Sequence, residues 1–418
     1  MPDLPVSDQP APPALAEVTF ADIEAARARI RDAVFCSPCA YTETLSQRTG
    51  ARVWLKLENL QMTGSFKERG AANTLLKMSA EDRAKGVIAA SAGNHAQGVA
   101  YHAQRLGVPA TIVMPEATPL MKVASTRSFG ARVSLHGANY DDAYAEARRL
   151  QGELGSVFVH PFDDADVIAG QGTIGLELLE QNPYLEAVVV AIGGGGLAAG
   201  VGCAIKEVNP KIKVYGVQTK VLGSMRAALD ARRPVTLPAA RTIADGIAVR
   251  TVAQRTFDLV SRYLDDVVTV DEEEIAEAIL MLLEGEKTVA EGAGAVPLAA
   301  LLAGRLPVQG KRTALVICGG NIDVNVVSRI IERGLVKSGR RMRVVLVLSD
   351  VTGSLAKLTR LIADLKGNIV QIHHDRTSPE HSLGEAVVEL ELETRGFEHI
   401  TEITRALSSA GYRTLESV

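Results

Sequence analysis

Hydrophobic positions between residue 53 and about residue 320 follow two alternating patterns. Short apolar runs rich in β-branched residues alternate with roughly 10–18 residues in which apolar positions recur at helical spacing. This alternation is typical of an α/β fold with mainly parallel sheets, whose ligands bind at the carboxyl ends of the strands. The runs predict nine strands: VWLKLEN (53–59), GVIAAS (86–91), ATIVMP (110–115), ARVSLH (131–136), SVFVH (156–160), EAVVVAI (186–192), KVYGVQ (213–218), DDVVTV (265–270) and TALVICG (313–319).

The start of ordered structure is also predicted by the pattern. Residues 1–18 carry five prolines within their first thirteen positions and no apolar segment flanked by basic residues. That composition is typical of a disordered tail and not of a signal peptide. The first helix is predicted to begin at Thr19, with Asp22 three residues later completing its cap.

A different pattern begins after Gly339. The predicted elements are a strand RMRVVLVLSD, a helix GSLAKLTRLIADLKG, two strands NIVQIHHDRT and GEAVVELELETR, a helix FEHITEITRALSSAG and a strand YRTLESV. The order βαββαβ predicts a ferredoxin-like domain with its own core over residues 342–418. The boundary is predicted in LVKSGRR at 335–341, so the α/β domain would span 19–335.

Composition narrows the class of protein. A chain of 418 residues is expected to form two or three domains, and 47% hydrophobic with 22% charged residues is typical of a soluble globular protein. The net charge of −4 and the 4% aromatic content argue against a nucleic-acid partner.

Two further features have ordinary explanations. The uncharged run Ala187–Ile205 contains GGGG, which favours a loop between two buried elements over a membrane span. Cys36 and Cys39 form a C-x-x-C, but no second pair or nearby histidine completes a zinc site. We therefore expect reduced thiols in a cytoplasmic protein.

Glycines and small polar residues follow the predicted strands in four places. These segments are TGSFKERGA (63–71), SAGNHAQG (91–98), GGGGLAAG (193–200) and CGGN (318–321). Because carboxyl ends of parallel strands share one edge of a sheet, the four segments suggest a site for a phosphorylated ligand.

The glycine-rich segment GGGGLAAG allows three interpretations. Gly193, Gly195 and Ala198 fit a dinucleotide fingerprint, but the strand that would supply the ribose-binding acid ends in Gln218. A nest of backbone N–H groups around a single phosphate is favoured, because four glycines let the backbone close on an anion. Close packing without a ligand is the third interpretation.

Single residues in these segments are ambiguous alone. Lys67 is either a solvated lysine or a nucleophile behind a glycine turn. His95 is more readily explained by packing or capping than by general-base chemistry, whereas the neutral amide of Asn94 suits a ligand oxygen.

His373 and His374 would point to opposite faces of a strand, so no metal site is predicted.

Six segments together resemble one family. SFKERG (65–70), SAGNHAQ (91–97), GGGGL (193–197), ADGIAV (244–249), EGAGA (291–295) and CGGN (318–321) occur in this order. The set closely resembles the pyridoxal-phosphate-dependent threonine/serine ammonia-lyases (threonine dehydratases) from about residue 19 to 335. The segment VTGSLAKLTRLIADLKGNIV resembles the start of an ACT regulatory domain, with Thr352 in place of the usual proline.

The resemblance implies a fold and an activity. The fold would be tryptophan-synthase-β-like, known as fold type II, with a smaller subdomain at about residues 53–155. The activity would be that of a carbon–nitrogen lyase converting L-threonine to 2-oxobutanoate and ammonia, with L-serine to pyruvate as a side activity. Isoleucine biosynthesis and amino-acid catabolism both use such enzymes.

Residue roles follow from the same resemblance. Lys67 would hold pyridoxal 5′-phosphate covalently and later take the Cα proton, and Phe66 would pack on the cofactor ring. Asn94 would bond the ring hydroxyl oxygen, and Cys318 would lie as a neutral group near the pyridine nitrogen. The cofactor phosphate would bind at Gly193, Gly194, Gly195, Gly196 and Leu197.

The remaining implied positions concern the substrate. Ser91, Ala92, Gly93 and Asn94 would cradle its carboxylate, and Glu291 would lie near the cofactor. Serine racemase relatives carry a serine at the position of Ala92, so its absence favours elimination without racemisation. Their divalent-metal acids have no counterpart at residues 218–220, which read QTK, although a monovalent cation bound by carbonyls stays open.

Several alternatives and partners accompany this hypothesis. The same cofactor could support serine racemisation or β-replacement, and a non-enzymatic amino-acid sensor with a vestigial catalytic domain is a further alternative. The resemblance also implies a homodimer or homotetramer, and an amino-acid effector bound to the C-terminal domain. No membrane partner is expected.

Overall fold

The protein is described by a computed structural model over residues 17–377 and 382–417. The disordered tail predicted for residues 1–18 lies outside the described residues except for Glu17 and Val18. The chain divides into two compact units between Ile322 and Asp323.

The first unit alternates strands and helices along most of its length. Its strands are β1 (Cys39–Thr42), β2 (Arg52–Lys56), β3 (Val87–Ala90), β4 (Ala110–Met114), β5 (Arg132–Leu135), β6 (Val157–Phe158), β7 (Ala187–Ala191), β8 (Lys213–Thr219), β9 (Asp266–Val270) and β10 (Arg312–Val316). Its helices are α1 (Phe20–Ile30), α2 (Glu43–Thr49), α3 (Lys67–Lys77), α4 (Ala80–Lys85), α5 (Asn94–Leu106), α6 (Leu120–Ser128), α7 (Tyr140–Leu154), α8 (Ala165–Gln181), α9 (Gly196–Val208), α10 (Ser224–Ala231), α11 (Gln254–Tyr263), α12 (Glu272–Glu284) and α13 (Gly292–Leu302).

These strands form two sheets. The larger has six strands in the order β1-β2-β10-β7-β8-β9, and only the β1–β2 pair is antiparallel. The smaller has four parallel strands in the order β5-β4-β3-β6. The predicted α/β fold with mainly parallel sheets is therefore confirmed, and all nine predicted strands are present.

The smaller sheet takes its strands from residues 87–158. The smaller subdomain was predicted at about residues 53–155, and this range includes the strand β2. However, β2 pairs with β1 and β10 in the six-stranded sheet, and the smaller sheet extends to Phe158 in β6.

Local signals explain how several elements begin. Thr19 and Asp22 form the predicted capping box of α1, each side chain accepting the other's backbone N–H.

All five residues of β7 are buried, as expected for a central parallel strand covered on both faces. The uncharged run Ala187–Ile205 is thus a buried strand, a glycine loop and a buried helix. In the described part of the chain, no helix is both long and apolar enough to cross a membrane.

The second unit contains α14 (Val324–Lys337), β11 (Arg341–Ser349), α15 (Ser354–Asp364), β12 (Asn368–Asp375), β13 (Glu385–Glu393), α16 (Phe397–Ser409) and β14 (Arg413–Ser417). Its antiparallel sheet has the order β12-β13-β11-β14, as in a ferredoxin-like βαββαβ fold. The core packs apolar sheet residues such as Leu346 and Leu390 against Leu358 and Ile403 from the two helices. The unit starts earlier than the boundary predicted at 335–341, because α14 belongs to it.

Candidate active site

Lys67 is the first residue of α3, immediately after Phe66. Its Nζ donates a hydrogen bond to the carbonyl oxygen of Pro161 at 2.6 Å and lies 5.1 Å from the centroid of the Phe66 ring. Although Lys67 is only half-buried by surface area, protein surrounds its amine, and desolvation lowers the pKa to about 8. Nearby Cys318 and Glu291 oppose this shift in part.

The backbone before Lys67 pairs with the CGGN segment. Ser65 forms a β-bridge with Gly319, and the Phe66 N–H donates to the Cys318 carbonyl at 3.0 Å. Gly64 has φ +74°, and the Gly320 N–H donates to its carbonyl at 2.9 Å. Two segments about 250 residues apart are thereby joined at the carboxyl end of β10.

A chain of hydrogen-bonded side chains connects two helices and the CGGN segment around this point. The Asn94 amide nitrogen donates to Oε1 of Glu291 at 2.8 Å, and the Asn321 amide nitrogen donates to Oδ1 of Asn94 at 2.8 Å. Asn94 opens α5, and Glu291 is the N-cap residue of α13. The sequence motifs pointed to Asn94 and Glu291 but not to the side chain of Asn321.

Two buried acidic groups of the site are held toward their neutral forms. Burial raises the pKa of Glu291 to about 7, Asp245 adds to this effect, and the hydrogen bond from Asn94 opposes it. Burial likewise raises the pKa of the Cys318 thiol, with a further contribution from Glu291. The predicted neutral thiol at Cys318 agrees with this environment.

The glycine loop lies between β7 and α9. Gly194, Gly195, Gly196 and Leu197 are buried, and Gly195 has φ +98° at the N-cap of α9. Within the described ranges, no acceptor is found for the backbone N–H groups of residues 193–195. Unpaired N–H groups at a helix N-terminus form a ready anion site.

The same loop also packs closely against Phe162. A Cβ at Gly194 would lie 2.2 Å from Cγ of Phe162, and one at Gly196 would lie 2.7 Å from the Phe162 carbonyl oxygen. Close packing therefore explains two of the glycines, while the unpaired N–H groups suit a phosphate. The two interpretations hold together and do not exclude one another.

The segment His160–Asp164 was not singled out from the sequence. Its Pro161 accepts the hydrogen bond from Lys67, and Phe162 covers the glycine loop. His160 stabilises the turn, because its Nδ1 accepts the Asp163 N–H at 2.8 Å. Its position in the sequence could have indicated it, because this polar turn follows the predicted strand SVFVH just as the other site segments follow their strands.

The predicted substrate segment forms the turn between β3 and α5. Ser91 Oγ accepts the Gly93 N–H at 3.2 Å, and a Cβ at Gly93 would meet no atom within 4 Å. Open space therefore adjoins Gly93.

The histidines that the sequence singled out lie in two different environments. His95 is buried, its Nε2 lies 2.8 Å from the Val159 carbonyl oxygen, and burial lowers its pKa to about 3, which fits the packing role expected for it. His373 and His374 are exposed on β12. Among residues 17–377 and 382–417, no group of three or more histidine, cysteine or acidic side chains could hold a metal ion.

A site with a buried amine of lowered pKa, an open N–H nest and a neutral thiol is typical of an enzyme that uses an aldehyde cofactor bearing a phosphate. The chain belongs to the pyridoxal-phosphate dependent enzyme family, whose model matches residues 30–319. It is 52% identical over 395 residues to an L-threonine ammonia-lyase from Thermotoga maritima, covering 94% of this chain and 98% of that protein.

Two solved structures extend the comparison. A threonine deaminase from T.th. has a TM-score of 0.69 and 42% identity over 73% of this chain and 99% of its own. The maize serine racemase has a TM-score of 0.73 and 33% identity over 77% of this chain and 99% of its own. The fold class expected from the sequence is confirmed.

The residues present fit pyridoxal phosphate. Lys67 supplies an amine that loses its proton easily, and the glycine loop supplies unpaired N–H donors for a phosphate. The buried Ser65 hydroxyl, between Gly64 and Phe66, finds no hydrogen-bond partner among the described residues. An unpaired buried hydroxyl at this point suits a polar ligand.

Proposed function

We propose that this chain is an L-threonine ammonia-lyase that converts L-threonine to 2-oxobutanoate and ammonia, with L-serine to pyruvate as a side activity. The observation that carries the proposal is the Lys67 amine, whose pKa of about 8 leaves an appreciable unprotonated fraction near neutral pH. The similarity to the Thermotoga maritima enzyme over nearly the whole chain supports threonine as the substrate.

Pyridoxal phosphate supplies the electron sink that makes loss of the substrate Cα proton feasible. Lys67 would hold the cofactor, and its amine, when free and unprotonated, would take the Cα proton. The β-hydroxyl leaves with a proton as water. The resulting enamine tautomerises and is hydrolysed to the 2-oxo acid and ammonia, so one water is lost and one is consumed.

The other site residues bind and orient. We assign the phosphate to the N–H groups of Gly193–Gly196 and Leu197, and the face of the ring to Phe66. Asn94 provides an amide donor, and Cys318 provides a neutral neighbour. Residues 91–93 form a turn in which Gly93 adjoins open space, and we assign the substrate carboxylate to this turn. Glu291 accepts a hydrogen bond from Asn94 and would lie near the cofactor.

The test compares Lys67→Ala with Lys77→Ala, a lysine on the same helix whose side chain is about half exposed and pairs with Asp166. Formation of 2-oxo acid and ammonia is measured from L-threonine and from L-serine. Lys67→Ala should lose activity by on the order of a thousandfold or more and lose the visible absorbance of the bound cofactor. Lys77→Ala should retain both.

No 2-oxo acid from either substrate would contradict the lyase assignment. It would also favour the non-enzymatic amino-acid sensor if threonine still bound. Retention of the visible cofactor absorbance in Lys67→Ala would contradict the assignment of Lys67.

Serine racemisation is the second candidate, because the maize serine racemase shares the fold at 33% identity. We expect little D-serine, since the methyl group of Ala92 cannot exchange a proton where racemase relatives carry a serine. Chiral analysis of serine after incubation measures this directly. Substantial D-serine from the unaltered chain would overturn the expectation, and β-replacement would show as product formed only with an added thiol.

The second unit supports a regulatory proposal. Its βαββαβ fold suits an amino-acid effector, and the relative from Thermotoga maritima matches this region as well. We propose a homodimer or homotetramer, tested by light scattering, and effector binding, tested by calorimetry with isoleucine and valine.

A requirement for a monovalent cation is tested by activity assays with potassium or sodium. The four unpaired cysteines support a cytoplasmic location.

A further inference from the structure

We propose that Asn321 is a positioning residue that fixes the orientation of the Asn94 amide in the active site. The amide nitrogen of Asn321 donates hydrogen bonds to the Thr63 carbonyl oxygen and to Oδ1 of Asn94, so Asn321 would act through Asn94. The inference deepens the proposed function, on which it rests only for the identity of the reaction.

Hydrogen-bonding capacity alone determines the orientation. The Thr63 carbonyl oxygen can only accept, so the Asn321 amide nitrogen must face it, at 2.7 Å. The same nitrogen then donates to Asn94 at 2.8 Å, which requires the Asn94 carbonyl oxygen on that side. The Asn94 amide nitrogen is therefore turned toward Glu291, at 2.8 Å.

The backbone around Asn321 leaves little freedom for its side chain. A Cβ at Gly64 would lie 2.5 Å from Oδ1 of Asn321, so only glycine gives this amide its space. The positive φ of Gly64 and the hydrogen bond from Gly320 hold both segments in register. Asn321 is half-buried, which limits competition from water.

The fixed orientation leaves Asn94 with one N–H still available. Its nitrogen carries two protons, and among the described residues only Glu291 accepts one of them. The remaining N–H is free to meet a ligand oxygen. If the amide turned over, Asn94 would present its oxygen to Glu291 and lose this donor toward the site.

The ionisation of Glu291 depends on the orientation of the Asn94 amide, because the Glu291 carboxylate accepts a hydrogen bond from the Asn94 nitrogen. The charged groups that act on it from other elements are Asp245 near the start of a short turn, Lys122 on α6 and Lys67 on α3; the Cys318 thiol after β10 also faces it. The amide nitrogen of Asn321 donates instead to Asn94 and to the Thr63 carbonyl oxygen. A change in Asn94 orientation should therefore appear as a change in Glu291 ionisation through one hydrogen bond.

The experiment measures the titration of Glu291 in the purified full-length chain. Infrared difference spectra are recorded across a titration from about pH 5 to about pH 9.5, which brackets both midpoints, and the Glu291 band is identified by subtraction of the Glu291→Gln spectrum. Asn321→Asp places a second acceptor against the Asn94 oxygen, so the amide should turn over. We expect the Glu291 midpoint to rise by about one pH unit.

A double-mutant cycle separates orientation from simple charge repulsion. In an Asn94→Ala background, Asn321→Asp should lose most of its effect on Glu291, because the intermediary is gone. Asn59→Asp is the matched control. Asn59 is also half-buried and donates to a backbone carbonyl, that of Val289, at 2.9 Å beside the same glycine segment, but it does not contact Asn94.

The outcomes are distinct. An equal rise in the Asn94→Ala background, or an equal rise from Asn59→Asp, would overturn the proposal in favour of through-space charge. An unchanged midpoint in Asn321→Asp would also overturn it. Affinity for pyridoxal phosphate, measured by equilibrium dialysis, should fall about tenfold in Asn321→Asp.

These results do not depend on the substrate. If neither threonine nor serine yielded a 2-oxo acid, the proposed function would fail while the Glu291 midpoints still decided the role of Asn321. If the chain were a lyase with unshifted midpoints, only the positioning role would fail.

Discussion

Lys67 and Arg69 lie two residues apart on α3 and face different surroundings. Arg69 is fully buried, donating from Nε to Glu58 at 2.7 Å and from Nη1 to Glu177 at 2.7 Å. The buried Lys56 donates to Glu177 at 2.6 Å. Two positive and two negative groups therefore neutralise one another behind the helix that carries Lys67.

Removing one member of this network should be costly. Arg69→Met leaves Glu58 without its cationic partner in a dry environment, so we expect a loss of about 3–5 kcal/mol in the free energy of unfolding. Urea unfolding measures it. Arg149→Met is the matched control, because Arg149 pairs with Glu146 and Glu153 on the exposed face of α7. A loss no larger than that of the control would contradict the role of the network.

The raised pKa of Glu291 predicts a pH dependence of stability. Between its ordinary value of 4.5 and its folded value of about 7, the folded chain holds a proton that the unfolded chain has released. The free energy of unfolding should therefore fall as pH rises through this window, by at most about 3 kcal/mol.

Glu291→Gln should remove this contribution, because glutamine does not ionise. The check is urea unfolding of both chains at about pH 5 and about pH 8. The variant should gain stability relative to the unaltered chain at the higher pH. A constant difference between the two chains at both pH values would show that Glu291 titrates normally.

The sequence singles out candidate site residues where a motif carries its own signal. Lys67, Asn94, the glycine loop and Cys318 stand out because each follows a strand with glycine or small polar neighbours. Arg69 and Asn321 belong to the same motifs, but their roles depend on contacts with Glu177 and Asn94, which no local pattern reveals.

At the scale of elements, α8 lies close to two other helices. A Cβ at Gly170 would lie 2.6 Å from the Arg69 carbonyl oxygen on α3, and one at Gly172 would lie 2.9 Å from the Gly200 carbonyl oxygen on α9. Glycines at these points allow backbones to approach without side chains between them. The position of α3, and with it Lys67, depends on this packing.

Gly170→Ala should therefore destabilise the chain by about 1–3 kcal/mol, since all of its nearest contacts are backbone atoms that cannot move aside. Gly152→Ala is the opposite case. Gly152 lies on α7 with no atom within 4 Å of an added Cβ, so alanine should stabilise by about 0.5–1 kcal/mol. Thermal unfolding of both variants checks the signs, and a common sign would contradict the packing argument.

Elements were predictable in proportion to their burial. The strand β7 reads as a continuous apolar run because both of its faces are covered. The strand β1 was missed because only Thr42 of its four residues is buried, so CAYT shows no apolar run. Its pairing with β2 arises from the fold and not from its own pattern.

At the scale of the whole molecule, each unit has a core of its own. The second unit buries Leu346, Leu390, Leu392, Ile403 and Leu407 completely, and every strand of its sheet pairs with strands of the same unit. Such a core is sufficient for independent folding of a small domain when enough apolar area is buried.

A fragment of residues 323–418 should therefore fold alone. Circular dichroism should show a cooperative thermal transition, and Leu390→Ala should destabilise the fragment by about 2–5 kcal/mol. The matched change Leu383→Ala, at a fully exposed leucine, should have little effect. A fragment without a cooperative transition would contradict the division at Ile322.

The place of β10 in the larger sheet has a consequence for biosynthesis. This strand comes last in the first unit, yet it lies between β2 and β7, and it is followed by Cys318 and Asn321. A growing chain on the ribosome can complete the smaller sheet once Phe158 has emerged. The larger sheet stays incomplete until β10 has emerged. We therefore expect stable binding of pyridoxal phosphate only after the CGGN segment has emerged. A translation product that ends before Cys318 should not retain the vitamin-derived coenzyme.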